Sequence, residues 1–484
     1  MSKNGRILLV NPPSFKNTEA FAPEYMLQRN AFNYPPLGLL YLAANLPGHF
    51  ECKIIDSVAL EYTIDDCLDD IKAFQPCVVG FIVFTDSLYC CYLMAQKIKE
   101  CNSETKVIFG GPHVNIYPDE TIELGVVDYA LAGFAENTFS ALMTLLERGD
   151  VTNEELYDVD GLWWKDDNNQ VMKSEFERDS SWDINKIRRP CRNLLQLDKY
   201  FTVANRRKIT TMITSRGCPF SCTFCDVFEK RFLEISIDNI VDEIKEVLRL
   251  GIDQIHFFDD CLNVKRTRVA ELCNAILDNN LDFEWSFRGR IQPCDEELAL
   301  LLYKAGCRRI QLGIEATDQP TLDLIKKNIT ISKVPKVLKI YRKAGISTMG
   351  YFIFGFIHQN EKDSINSSRE ILTLGFDYIN LFILIPYPNT QIYTELLNKK
   401  IIANDVWLEH ARNPQPDFKL PIWHPILKRQ FLEELILKTY RKHYFVPKFI
   451  YSDIIRTKNF NSFVKKFKLA LLMLLSKIKI MKAK

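Results

Sequence analysis

At 484 residues the chain exceeds what one hydrophobic core normally spans, so two domains are expected. A hydrophobic fraction of 47% with 25% charged residues excludes a disordered chain. A formal charge of +1 excludes the strong basic field that draws nucleic acid, and no nucleic-acid partner is expected.

The opening "MSKNGRILLVNPP" passes straight into a strand-like run, without a long apolar segment or a small-residue cleavage site. A cytoplasmic, reducing location is expected. There, most of the fourteen cysteines read as buried free thiols, and clustered ones favour metal over disulfide.

Residues 1–145 alternate short apolar runs with helical patterns. The runs are 6–13, 52–56, 78–84, 106–111 and 129–134; "TIDDCLDDIKAF" and "YLMAQKIKE" between them repeat apolar residues every three or four positions. This predicts an α/β, doubly wound, Rossmann-like domain of five parallel strands. Such folds bind ligands beyond the carboxyl ends of the strands. The turn formers collect there: Asn11 in "NPPS", Thr85 in "TDS", Gly110 and Gly111 in "GGPH", Gly133 and Glu136 in "GFAE". No G-x-G-x-x-G opens the first helix, which argues against a dinucleotide.

Residues 146–205 are more polar and predict a connector, with a hairpin around Asp166 to Asn169 and with Trp163, Trp164 and Trp182 packed on their neighbours. From 206 to 400 the alternation resumes. Strands are expected at 208–216, 254–260, 283–290, 309–316, 347–356 and 378–387. The helical pattern after the first ends at a capping Gly251. Six such units predict a partial (β/α)6 barrel with its site at the carboxyl ends of the strands.

The loop after the first barrel strand, "RGCPFSCTFCDVF", holds Cys218, Cys222 and Cys225 in the spacing C-x3-C-x2-C. A structural zinc site closes with four ligands, whereas a [4Fe-4S] cluster on three cysteines leaves one iron open to an exogenous ligand. With Phe224 at the aromatic position, "CPFSCTFC" resembles the signature of the radical S-adenosylmethionine (SAM) enzymes. The resemblance implies that these three cysteines hold the cluster and that SAM binds the fourth iron. It also implies cleavage of SAM to methionine and a 5'-deoxyadenosyl radical.

The front domain is similar to the cobalamin-binding domain of the cobalamin-dependent radical SAM group, through "NPP", "YPPLGLLYLAA", "GGPH" and "GFAE". The turn residues named above would then line cobalamin. The D-x-H-x-x-G ligand sequence is absent, and His113 reads better as a turn histidine bonded to backbone than as a cobalt ligand. In the core, "FFDD", "FRGR", "LGIEA", "IKKNIT", "GYFIFGF" and "PYPNT" continue the likeness. Asp259, Arg290 and Glu315 would hold the methionine ammonium, its carboxylate and the ribose hydroxyls. The alternative is that Arg290 and Glu315 simply pair across neighbouring strands. Asp260 reads as a loop acid or helix cap. "GFIHQNE" stands where the family usually has a GxPGET-like turn, and Asn389 stands where it usually has Gly.

Residues 401–484 predict a helical region ending in a basic amphipathic tail. Its apolar run, Leu469 to Leu475, is far shorter than the roughly 20 residues of a membrane span. Lysines at 465, 466, 468, 477, 479, 482 and 484 suit peripheral contact with anionic lipid. The whole implies a cobalamin-dependent radical SAM enzyme, most simply a C-methyltransferase. Its substrate would be a small molecule, lipid-like or pigment-like, and its electrons would come from a flavodoxin or ferredoxin. Radical cyclisation, oxidation or rearrangement is the alternative within the class; a non-catalytic metal-binding or redox-sensing protein is the alternative outside it.

Overall fold

A computed structural model describes residues 5–13, 34–175, 183–202, 205–447 and 449. Trp182 and the basic tail lie outside the described residues. The chain divides into two compact units. The first comprises, among the described residues, 5–13, Pro35–Tyr200 and Asn404–Leu420; the second comprises Tyr34, Phe201–Ala403 and the chain from Pro421 onward.

The first unit is built on a seven-stranded sheet. Its strands are β1 (Arg6–Asn11), β2 (Glu51–Asp56), β3 (Val78–Ile82), β4 (Lys106–Gly110), β5 (Tyr129–Leu131), β6 (Leu162–Lys165) and β7 (Val171–Lys173). They lie in the order β2-β1-β3-β4-β5-β6-β7. The pairs among β1 to β5 are parallel; β5–β6 and β6–β7 are antiparallel. The five expected parallel strands are all present. The hairpin expected around Asp166 to Asn169 is β6–β7, and it completes this sheet, where Trp163 and Trp164 are buried and their indole N–H groups reach Asp119 Oδ1 and Asn153 Oδ1, each at 2.9 Å.

Alternation along β1 explains why the sheet is covered on both faces. Leu8 and Val10 enter one core with Phe81, Met94 and Phe109, while Ile7 and Leu9 enter the other with Leu39, Phe139 and Leu142. The helix Ile64–Phe74 starts as its sequence demands, with a capping box between Thr63 and Asp66. The late segment Asn404–Leu420 returns to this unit. Its helix, Val406–Arg412, buries Trp407 completely, and Arg412 approaches Glu120 at 3.7 Å.

The second unit carries another seven-stranded sheet. It contains β8 (Phe201–Thr202), β9 (Asn205–Met212), β12 (Gln254–Phe257), β13 (Glu284–Gly289), β14 (Cys307–Glu315), β15 (Ser347–Phe354) and β16 (Tyr378–Ile383), in the order β16-β15-β14-β13-β12-β9-β8. Between β9 and β12 a short ribbon pairs β10 (Ser215–Arg216) with β11 (Leu233–Glu234). The six expected barrel strands are the six parallel neighbours, each linked to the next by a crossover, and β8 adds an antiparallel edge on β9.

The outward row of the barrel strands is largely buried, as with Trp285, Phe287, Leu312, Phe352 and Phe354. The opposite face is the lumen, and on β12, β13 and β14 it is polar, with Gln254, His256, Ser286, Arg288, Arg309 and Gln311. The helix Ile237–Arg249 ends as expected, Gly251 having φ +73° just past its cap. The helix Arg429–Tyr444 packs on β16, where its Tyr440 and Tyr444 hydroxyls bond the Leu381 and Ile379 backbone. Among the described residues, no helix is long and apolar enough to cross a membrane.

Candidate cofactor site

The three cysteines lie on the loop closed by the β10–β11 ribbon, at the carboxyl end of β9. Gly217 makes the entry possible. Its φ is +83°, and a Cβ there would stand 2.0 Å from Arg231 O and 2.9 Å from Glu229 O.

From there the loop is pinned by backbone bonds on several sides. Gly217 N–H donates to Asp260 Oδ2 at 3.1 Å, Cys218 N–H to Glu229 O at 3.0 Å, and Thr223 N–H to Ile325 O at 3.1 Å; Ile392 N–H donates to Thr223 O at 3.0 Å. Asp260 is therefore a loop acid, one of its two expected roles. Cys218, Cys222 and Cys225 remain half-buried, while Cys261 is buried with its thiol 3.7 Å from Asn263 Oδ1.

Burial raises the Cys218 thiol and pushes the Cys225 thiol up to about 11. Buried thiols become thiolates when a metal compensates the charge. Among the described residues, no three His, Cys, Asp or Glu side chains converge on a single metal ion. A four-iron cube takes one thiolate per iron and so needs them further apart. Three half-buried thiols on one pinned loop, without a fourth, fit such a cluster in its donor chemistry.

The strand-end polar residues surround this loop. Asp259 is 1% exposed and its carboxylate accepts from Thr214 N–H (3.0 and 3.1 Å), Thr214 Oγ1 (2.7 Å) and Ser215 Oγ (2.6 Å). It latches the end of β9, and burial raises its pKa to about 6. Arg290 is clasped by Asn263, whose amide bonds both the Arg290 N–H and C=O at 2.8 Å. Its guanidinium lies 3.9 Å from the Phe220 centroid, donates to Lys327 O, and places Nη1 3.9 Å from Cys222 Sγ.

Glu315 has φ +73° beside a register shift in the β14–β15 pairing, which re-aims its side chain. It does not pair with Arg290 across the sheet; its partner is Lys327, at 2.9 Å. Lys327, Asn263 and Phe220 are site residues the sequence reading missed. Phe224 is half-buried on the cysteine loop. Asn389 has φ +67°, the left-handed conformation that its place in the family's Gly position implies.

In the first unit, the named turn residues gather along the carboxyl edge of the parallel strands. Asn11 Nδ2 donates to Asp56 Oδ1 (2.8 Å), and Asp56 Oδ2 accepts from the Tyr200 hydroxyl (2.8 Å). Gly110 ends β4. Gly111 follows at φ +104°, where a Cβ would come within 3.1 Å of Val83 N and O. Gly133, at φ +82°, donates its N–H to Asn115 Oδ1 at 2.7 Å, and Glu136 opens the next helix, buried. Strand order reverses between β1 and β3, so the edge is a topological switch point.

The His113 side chain bonds the Thr85 hydroxyl at 3.0 Å through Nδ1, not backbone as expected. It is completely buried, and desolvation lowers its pKa to about 3. Buried Nε2 has no partner. A corrinoid on this ledge, where glycines leave the backbone bare, would meet no exposed histidine from this turn.

Residues 212–371 match the radical SAM superfamily and residues 26–143 match the B12 binding domain. The chain is 30% identical over 460 residues to an uncharacterized methyltransferase of Pyrococcus horikoshii, covering 94% of this chain and 96% of that protein. It is 24% identical to the anaerobic magnesium-protoporphyrin IX monomethyl ester cyclase of Rubrivivax gelatinosus, over 87% of this chain and 75% of the other. A radical SAM methyltransferase from Kitasatospora setae, solved with cobalamin and a [4Fe-4S] cluster, shares the fold at TM-score 0.63 and 19% identity, covering 82% of this chain and 75% of its own.

Proposed function

Because the chain belongs to the radical SAM superfamily, with a B12-binding domain ahead of its radical core, we propose that it transfers a methyl group to an unactivated carbon of a small-molecule substrate, using a [4Fe-4S] cluster, SAM and cobalamin. The observation that carries this reading is the pinned loop with three half-buried thiols at the carboxyl end of six parallel strands. When bound, these groups supply a carbon-centred radical and a transferable methyl. Such chemistry suits a carbon whose proton no side-chain base could remove at useful rate.

The chain's residues bind, orient and exclude water. Cys218, Cys222 and Cys225 would hold the cluster. Arg290, fixed by Asn263 and Phe220, is the cation for the SAM carboxylate. Glu315, steadied by Lys327, accepts from ribose hydroxyls, and Phe224 lines the cluster loop. Asp259 already accepts from Thr214 and Ser215, so we assign it to holding the mouth of β9, not to the ammonium. In the first unit, Asn11, Thr85, Gly110, Gly111, Gly133 and Glu136 form the ledge for cobalamin. An external reductant of the flavodoxin or ferredoxin type delivers the electron. The lysine-rich end of the sequence suits contact with anionic lipid, which co-sedimentation with anionic vesicles would test.

Anaerobic protein reconstituted with iron, sulfide and cobalamin should carry about four irons and about one cobalt per chain. Supplied with a low-potential reductant, it should convert SAM to 5'-deoxyadenosine and S-adenosylhomocysteine. Iron and 5'-deoxyadenosine without S-adenosylhomocysteine would replace methyl transfer by the cyclisation that the Rubrivivax relative's name describes. Zinc in place of iron, with no SAM cleavage, would overturn the enzyme reading.

A further inference from the structure

Two guanidiniums in the second unit stand in the barrel lumen without a counter-charge. Arg288 on β13 and Arg309 on β14 belong to the inward rows, and among the described residues neither has a carboxylate within ion-pair distance. Each is held by a ring. The Arg288 guanidinium carbon lies 3.8 Å from the Phe258 centroid, and that of Arg309 lies 4.5 Å from the Tyr378 centroid. Stacking fixes the plane of a guanidinium and leaves its in-plane N–H edge unused. Arg309 Nε is buried with no hydrogen-bond partner. Two acids at the mouth are already engaged, Glu315 by Lys327 and Asp260 by the Gly217 amide.

A third group has the same deficit. His256 on β12 is fully buried, with Nδ1 2.8 Å from Ser286 Oγ and its ring stacked 5.4 Å from that of Tyr34; its Nε2 has no partner. Burial chiefly, then Arg288 and Arg309, depress its pKa to about 3, so a neutral imidazole stands in the field of both cations. Unpaired cations and an orphaned imidazole nitrogen are costly in a folded interior unless something completes them.

We propose that this row binds the anionic end of the substrate, and that the anion is a phosphate or phosphonate group clamped by Arg288 and Arg309. A phosphate monoester carries about 1.5 to 2 negative charges at neutral pH, and a phosphonate loses its second proton readily beside two guanidiniums, so either neutralises both, where one carboxylate leaves a cation uncompensated. Arg288 is level with Gln311, and Arg309 stands two residues lower on β14, about 7 Å along the strand. Arg290, beside Cys222, lies two residues beyond Arg288, just past the end of β13. The substrate's reacting carbon therefore lies on the mouth side of its anion. This inference deepens the methyl-transfer reading and rests on it for the chemistry, but not for binding.

The test is a calorimetric titration of the full chain, cluster reconstituted and SAM saturating, with methylphosphonate and, separately, acetate. Methylphosphonate should bind, acetate at least tenfold more weakly. Arg288→Gln and Arg309→Gln should each weaken methylphosphonate at least tenfold while SAM affinity and iron content stay as in the parent. Without ligand, both variants should melt no lower than the parent, since each removes an unpaired charge. An absence of methylphosphonate binding, or binding that both variants retain, overturns the proposal. Acetate binding as tightly overturns the assigned class, and a parallel loss of SAM affinity assigns the arginines to SAM instead. No turnover is needed, so a chain that binds the anion yet never cleaves SAM sinks the methyl-transfer reading alone.

Discussion

Lys327 Nζ stands 2.9 Å from Glu315 Oε1 at the carboxyl edge of the barrel, with the two side chains only 8% and 11% exposed. Neither charge has bulk water to fall back on. Lys327→Met should leave an uncompensated carboxylate and lower stability by roughly 3–5 kcal/mol, whereas Lys327→Met with Glu315→Gln should regain most of it. Urea denaturation of the two variants checks this. Equal stability of Lys327→Met and the parent would mean that the Lys327–Glu315 pair contributes nothing to folding.

Cys218→Ala, Cys222→Ala and Cys225→Ala should each lose cluster iron and at least a hundredfold in 5'-deoxyadenosine formation, with unchanged far-ultraviolet circular dichroism. Cys261→Ala should keep both iron and activity, because its thiol faces Asn263. Iron loss in Cys261→Ala would make it a fourth ligand and reopen the identity of the metal.

Asp259→Ala removes the acceptor of Thr214 and Ser215 and strands buried donors. Stability should fall by about 3 kcal/mol or more, with three donors stranded at about 1–3 kcal/mol each, while SAM affinity changes little. Thermal melting and SAM titration separate the roles: lost SAM affinity at unchanged stability would return Asp259 to the methionine ammonium.

In the first unit, His113 and His410 are both buried, with pKa values pushed to about 3 and about 4, first by desolvation. The His410 ring also stacks on Phe418 at 3.8 Å. Below the ordinary histidine pKa of about 6.5 the unfolded chain takes up protons that the folded one refuses. The stability these groups contribute is complete above about pH 6.5 and declines as pH falls towards 4, at about 1.4 kcal/mol per pH unit for each histidine. Melting between pH 7 and pH 5 should show it, and His410→Phe should flatten the slope. An unchanged slope would mean that His410 takes up its proton as readily in the folded chain as in the unfolded one.

The parallel strands were legible because each is a short apolar run ended by turn formers, and the cluster loop because three cysteines share one spacing. What escaped depends on local backbone direction. In "IKKNIT" two adjacent lysines look alike. Yet Lys326 at φ +54° sends its amine to Gln391, and Lys327 goes inward to Glu315. In "FRGR", Arg290 drew attention, although a period of two puts Arg288 on the same face. The hairpin around Asp166 to Asn169 was legible from its polar turn, but not that its strands would extend the front sheet, because edge pairing of β6 on β5 leaves no local pattern.

The return of Asn404–Leu420 to the first unit has a consequence for synthesis. That unit emerges early from the ribosome, but its last piece, with Trp407 and His410, follows about two hundred residues after Tyr200; at about 5–20 residues per second that is a wait of roughly 10–40 s. The front sheet is thus begun first and finished late. A fragment stopped at Tyr200 would lack a wall of its own interior, and dissection of this protein should follow the folded units, not the order of the letters.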